Sequence, residues 1–220
     1  MTDKMKRIGK TFLASICSLT AFLLWTAAIC FVDVRAIGPQ GSSVGLAGIN
    51  GYIHDLTGIR WGLYNITDWL GLVPILVCMG FGVLGLMQWI KRKSIGKVDR
   101  DVLALGVFYI VTLAAYFFFE RVVINYRPVL INGYLEASYP SSTTLLVMCV
   151  MPTAVMQFNS RIRNKLLRNI VAATLVAFIA FMVIGRLLSG VHWLTDIVGG
   201  ALLSTGLVLM YRAIIDLEVR

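Results

Sequence analysis

Charge is scarce in this chain. Only 14% of its 220 residues are Asp, Glu, Lys or Arg, while 58% are hydrophobic, far from the balance of a soluble domain. A membrane is the solvent that such a composition suits. Cysteine is also sparse, and all four, Cys17, Cys30, Cys78 and Cys149, lie inside long apolar runs. There a thiol behaves as a small buried hydrophobe, so neither a disulfide framework nor a metal site is indicated. Acidic residues number 11 against 20 basic ones, for a formal net charge of +9. That excess would suit a nucleic-acid partner only if gathered on one patch. It is dispersed between apolar runs instead, so no nucleic-acid partner is expected. There is no internal repeat, low-complexity tract or second domain, and residues 1–220 read as a single membrane domain.

A bilayer core about 30 Å thick takes roughly 20 apolar residues in a helix, and six stretches meet that length. They run from Thr11 to Val32, Trp69 to Ile90, Val102 to Phe119, about Ser141 to Phe158, Asn169 to Gly185, and about Trp193 to Tyr211. The fourth contains Pro152, which a helix packed among neighbours tolerates. The sixth reaches span length only with Asp196 near its start. The first, at 22 uncharged residues, exceeds the apolar core of a signal peptide and reads as an uncleaved helix. Placing the amino terminus in the cytoplasm puts fifteen of the twenty Lys and Arg residues on the inner side, as short cytoplasmic loops require. Both termini are then cytoplasmic. The five left outside are Arg35, Arg60, Arg121, Arg127 and Arg186. Tryptophans near span ends read as interfacial anchors, the second helix's glycines as close-packing positions, and Leu46 to Leu56 as a short interfacial helix.

Three polar clusters fall on the outer side: Glu120 to Pro128, Tyr139 to Thr144, and Gly185 to Asp196. His192 and Asp196 are four residues apart, so on a shared helix they lie on one face, a turn apart. The carboxylate can then hold one ring nitrogen as N–H and leave the other free as nucleophile or base. Such a pair also serves merely to satisfy hydrogen bonds. Asp196, at the edge of an apolar span, occupies a position that is functional by default. Arg127 and Arg186 each present a planar fork of donors that fits phosphate oxygens, although a lone interfacial arginine can simply snorkel. Ser141 opens a helix, where free backbone N–H groups favour an anion. Together these scarce polar groups indicate a phosphate site.

These residues resemble the motifs of the type-2 phosphatidic acid phosphatase family. Arg186, His192 and Asp196, with five and three residues between them, match its third motif, with Gly185 where serine is usual. Arg127-Pro128 matches the close of the first motif and Pro140-Ser141 the opening of the second. The resemblance spans about Glu120 to Gly200. It implies an all-α bundle of six transmembrane helices, a multi-pass cell-membrane protein with its site on the extracytoplasmic side. The implied activity is hydrolysis of a membrane lipid phosphate, a phosphatidate-type monoester or a polyprenyl pyrophosphate, with neither metal nor other cofactor. His192 would attack phosphorus to form a phosphohistidine, Asp196 would orient it, and Arg127, Arg186 and Ser141 would hold the phosphoryl oxygens. Two further departures are serious: Glu120 replaces the lysine that opens the first motif, with Arg121 next to it as a substitute if the helix end turns suitably. Thr143, beside Ser142, replaces the histidine that protonates the leaving alkoxide. Threonine is not an acid at neutral pH. His54, the other histidine, can supply that proton if the first outer loop folds over the site. The alternative class is a catalytically weak relative that binds or moves phospholipid.

Overall fold

The computed structural model describes residues 2–218. Eight α-helices follow one another: α1 (Thr2–Phe31), α2 (Ala47–Thr57), α3 (Trp61–Leu70), α4 (Leu72–Arg92), α5 (Arg100–Arg121), α6 (Ser142–Arg161), α7 (Lys165–Leu188) and α8 (Leu194–Glu218). Among the described residues there is no strand, only isolated bridges in two loops. The long helices follow from the long apolar runs, since every backbone N–H and C=O must be satisfied within the segment when no water is at hand.

Among the described residues, five helical segments are long and apolar enough to cross a membrane: α1, the continuous α3–α4 unit, α5, α7 and α8. The sixth expected span, α6, has 20 residues but is not among them. Its sequence includes Ser142, Thr143, Thr144, Thr153 and Gln157, all but Ser142 buried. The physical reason is its position. It packs against α4, α5, α7 and α8, and Leu145, Val147, Cys149, Val150, Met151 and Ala154 form the heart of the core. A helix surrounded by protein is not required to be apolar towards lipid.

Close approach of α1 and α8 is secured by small residues. Ser15 Oγ donates to the Gly206 carbonyl at 2.7 Å and Ser18 Oγ to that of Leu202 at 2.8 Å. A Cβ on Gly206 would lie 2.6 Å from the Leu19 side chain. The glycines of the second span are a correction to expectation. Gly80 and Gly82 face open space, Gly71 meets only the backbone of Thr67 and Asp68 just before it, and Gly85 meets another helix, at Val102. Glycine helps close packing only where a neighbour comes into contact, whereas Gly82 borders an open groove whose other wall is α5 and nothing lies within 4 Å of a Cβ on Gly80.

Ion pairs tie helices and loops together at the end of the bundle away from the candidate site. Arg92 meets Asp99 at 2.7 Å, Arg161 meets Asp101 at 2.9 Å, and Arg7 meets Asp216 at 3.9 Å. The other end carries the candidate site and is covered by the segment between α1 and α3. That segment is pinned by Asn50, whose Nδ2 donates to Gly45 O (2.8 Å) and Thr195 Oγ1 (3.0 Å). The expected short helix is α2.

Candidate active site

The end of α7 and the start of α8 form the first wall. After Leu188 the chain turns through Gly190, whose φ of +68° favours glycine. A Cβ there would also lie 1.9 Å from the Gly58 carbonyl oxygen. The turn brings His192 and Trp193 to the mouth of α8, which begins at Leu194. His192 therefore does not share a helix with Asp196. The two meet because Asp196, in the first turn, reaches back: its Oδ2 accepts the Trp193 N–H at 2.9 Å, satisfying one donor at the helix start.

The His192–Asp196 pair is not closed directly. Nδ1 and Oδ2 are 3.6 Å apart, beyond hydrogen-bond range. Ser138 fills the gap. Its Oγ lies 3.0 Å from His192 Nδ1 and donates to Asp196 Oδ2 in a short contact. A hydroxyl has one proton. With that proton given to the carboxylate, Oγ accepts from Nδ1–H, and the lone pair of the ring falls on Nε2. Nε2 is buried and without a partner. Burial, and then the charges of Arg127 and Arg186, hold the His192 pKa well below its ordinary value, so the ring is neutral at physiological pH.

Ser138 was missed by sequence reasoning because it lies outside all three clusters. It arrives on the loop after α5, whose two arms pair at Tyr126 and Ala137 and again at Ile131 and Tyr134. Arg127 stands on one arm and Ser138 on the other. Trp193 Nε1 donates to the Tyr126 carbonyl at 2.7 Å and ties this loop to α8. No short-range pattern announces such a pairing.

Arg127 and Arg186 line one polar cleft of about 560 Å³, together with Ser142, Thr143 and Glu120. Arg127 lies 3.2 Å from Glu136, yet its Nε and Nη1 have no aligned hydrogen-bond acceptor. Arg186 is 1% exposed. It lies over the Tyr64 ring, 5.0 Å from its centroid, with Nη1 3.4 Å from Thr67 Oγ1 and 3.5 Å from Asp68 Oδ1. Its Nε is unpartnered. Tyr64, Thr67 and Asp68 belong to α3, which starts eight residues before the expected second span at Trp69. Two buried guanidiniums thus leave hydrogen-bond donors unpaired at the cleft, a condition that carries a cost unless a partner meets them.

The other expected residues are placed differently. Ser141 caps α6, its Oγ accepting from Thr144 N at 3.4 Å and Thr144 Oγ1 at 3.1 Å. Its own N–H donates to the Asp196 carbonyl at 3.0 Å. The hydroxyl thus serves the helix end, while Ser142 and Thr143, the next two residues, face the cleft. Arg121 is exposed at the end of α5 and is not among the cleft-lining residues, whereas Glu120 is. His54 sits against Trp193, ring centroids 5.4 Å apart, outside that lining. Burial holds its pKa below the ordinary value.

Fold and site together define an all-helical membrane protein with a buried imidazole near a cleft lined by two arginines. The model of the PAP2 superfamily matches residues 102–219, more than half of the chain, and the protein belongs to that superfamily. No curated protein matches the sequence. Among solved structures, the fold is similar to that of a transmembrane PAP2-type phosphatidylglycerolphosphate phosphatase from Bacillus subtilis. The TM-score is 0.61 at 17% identity, over 94% of this chain and 97% of the other.

Proposed function

We propose that the protein is a membrane lipid phosphatase that uses His192 as its nucleophile. The observation that carries this reading is the His192–Ser138–Asp196 chain, which leaves Nε2 buried and without a partner. His192 is not itself among the cleft-lining residues, but it lies near enough to Arg127 and Arg186, which are, for their charges to act on the ring. Nε2 attacks phosphorus, the bond to the leaving oxygen breaks, and a phosphohistidine forms. Asp196, through Ser138, stabilises the ring's positive charge as it develops. Arg127 and Arg186 hold the phosphoryl oxygens, helped by the Ser142 and Thr143 hydroxyls at the start of α6. Phosphoryl transfer depends chiefly on such positioning and charge stabilisation. Water then cleaves the phosphorus–nitrogen bond and releases phosphate.

The substrate is a phosphomonoester or pyrophosphate of a membrane lipid. α6 crosses the bilayer as the sixth span, both termini are cytoplasmic, and the site faces the extracytoplasmic side. Phosphate release from phosphatidate, phosphatidylglycerolphosphate and a polyprenyl pyrophosphate by purified protein tests the reading. The parent should release phosphate from at least one, with His192→Ala lower by about 10³-fold or more. Thr143, a hydroxyl that cannot act as an acid, favours a second reading in which the cleft binds or moves phospholipid. Saturable lipid-phosphate binding with no release, unaltered by His192→Ala, would establish that one instead.

A further inference from the structure

Expulsion of a lipid alkoxide requires a proton, and the cleft offers few sources. Ser142 and Thr143 are hydroxyls, not acids at neutral pH. Arg127 and Arg186 do not give up protons in this range. His192 has its free nitrogen committed to attack. Two of the three carboxyl groups in the cleft are engaged, Asp68 by Arg186 at 3.5 Å and Glu136 by Arg127 at 3.2 Å. A guanidinium neighbour favours the ionised carboxylate, which cannot donate. Glu120 is the remaining carboxyl, and no ion pair within 4.0 Å engages it among the described residues. It stands in the last turn of α5, where the helix meets the cleft.

Glu120 also lines a second, much smaller cavity of about 10 Å³, whose wall includes Ser138 and Ser142. That is room for about one water molecule. Glu120 thus borders both the arginine-lined cleft and the small cavity that reaches Ser138, the hydroxyl linking His192 to Asp196.

We infer that Glu120 is the general acid and base of this site, an assignment that rests on the phosphatase reading above. As Nε2 bonds to phosphorus, the phosphorus–oxygen bond breaks, its electron pair goes to the leaving oxygen, and Glu120 transfers its proton there. The resulting carboxylate then takes a proton from the water that attacks the phosphohistidine. Water oxygen bonds to phosphorus, the phosphorus–nitrogen bond breaks, and Glu120 is protonated for the next turnover. A substrate whose leaving group is already a stable anion needs little of this help, so the site's dependence on Glu120 follows the basicity of the leaving group.

The test compares an alkyl phosphate and a nitrophenyl phosphate that carry the same hydrocarbon tail. Their rate ratio, taken on one preparation, is independent of the fraction of folded protein. Glu120→Gln keeps the shape of the side chain but has no acidic proton. It should slow the alkyl ester on the order of 10²-fold and change the nitrophenyl ester by no more than about 3-fold. Adding Thr143→His to Glu120→Gln should restore much of the loss on the alkyl ester alone. Tyr116 lines the cleft and the small cavity alongside Glu120, and its phenol is the rival proton donor. Equal slowing of both esters, no slowing of the alkyl ester, or a leaving-group effect that appears only in Tyr116→Phe would each overturn the assignment while leaving the phosphatase reading intact. A parent protein inactive on both esters and indistinguishable from His192→Ala would overturn both.

Discussion

Without the hydroxyl of Ser138, His192 Nδ1 and Asp196 Oδ2 would stand 3.6 Å apart with nothing between them. Ser138→Ala should therefore lower kcat on the order of 10²-fold with little change in KM, since orientation of the ring matters most as charge develops. Steady-state kinetics on a lipid phosphate checks this, and Ser138→Thr, which keeps the hydroxyl, should recover part of the rate. The pH profile follows from the depressed pKa of His192. Attack requires the neutral ring, so kcat/KM should hold as pH falls through 6.5, the ordinary histidine value, and decline only below it. Arg127→Gln removes one of the two positive charges that depress the pKa, and should move that acid limb towards 6.5. Stability has the same sign. The unfolded chain binds a proton at this histidine more readily than the folded one, so the contribution is fully present above pH 6.5 and is lost as pH falls below it.

At the scale of elements, the contact of α1 with α8 depends on Gly206, where an added Cβ would meet Leu19 at 2.6 Å. Gly206→Val should destabilise the bundle by roughly 1–3 kcal/mol, the usual cost of overpacking. Gly82→Ala, with open space around it, should be neutral or slightly stabilising, by up to about 1 kcal/mol, because alanine is the better helix former. Thermal unfolding in one detergent compares the two. The turn at Gly190 is more demanding, combining a positive φ with a backbone oxygen 1.9 Å from any Cβ. Gly190→Ala should therefore displace the segment that carries His192, and lose activity before it loses helical content.

Across the whole molecule, the two ends differ in chemistry and should lie on opposite sides of the bilayer. In a background with the exposed Cys17 and Cys30 replaced, Lys93→Cys should react with an impermeant thiol reagent only from the cytoplasm. Tyr134→Cys, at a position 74% exposed on the loop that bears Arg127, should react only from outside. The reverse pattern would invert the proposed orientation. What the sequence determined here is what runs along a single segment. Apolar length made the helices, since the hydrocarbon core admits little else, and Lys and Arg between the runs marked their ends. The spacing of Arg186, His192 and Asp196 showed the residues of one wall, because local separation constrains who can meet. Only the tertiary structure decided how that wall works. Ser138 entered between His192 and Asp196 from the paired arms of another loop. Tyr64 and Asp68 reached Arg186 from α3, and the core position of α6 removed the requirement that it look apolar. These are contacts between segments 50 to 120 residues apart, as in the pairs Ser138–His192 and Thr67–Arg186. Periodicity cannot encode them, because they arise from how helices and loops pack and from where unsatisfied polar groups find partners.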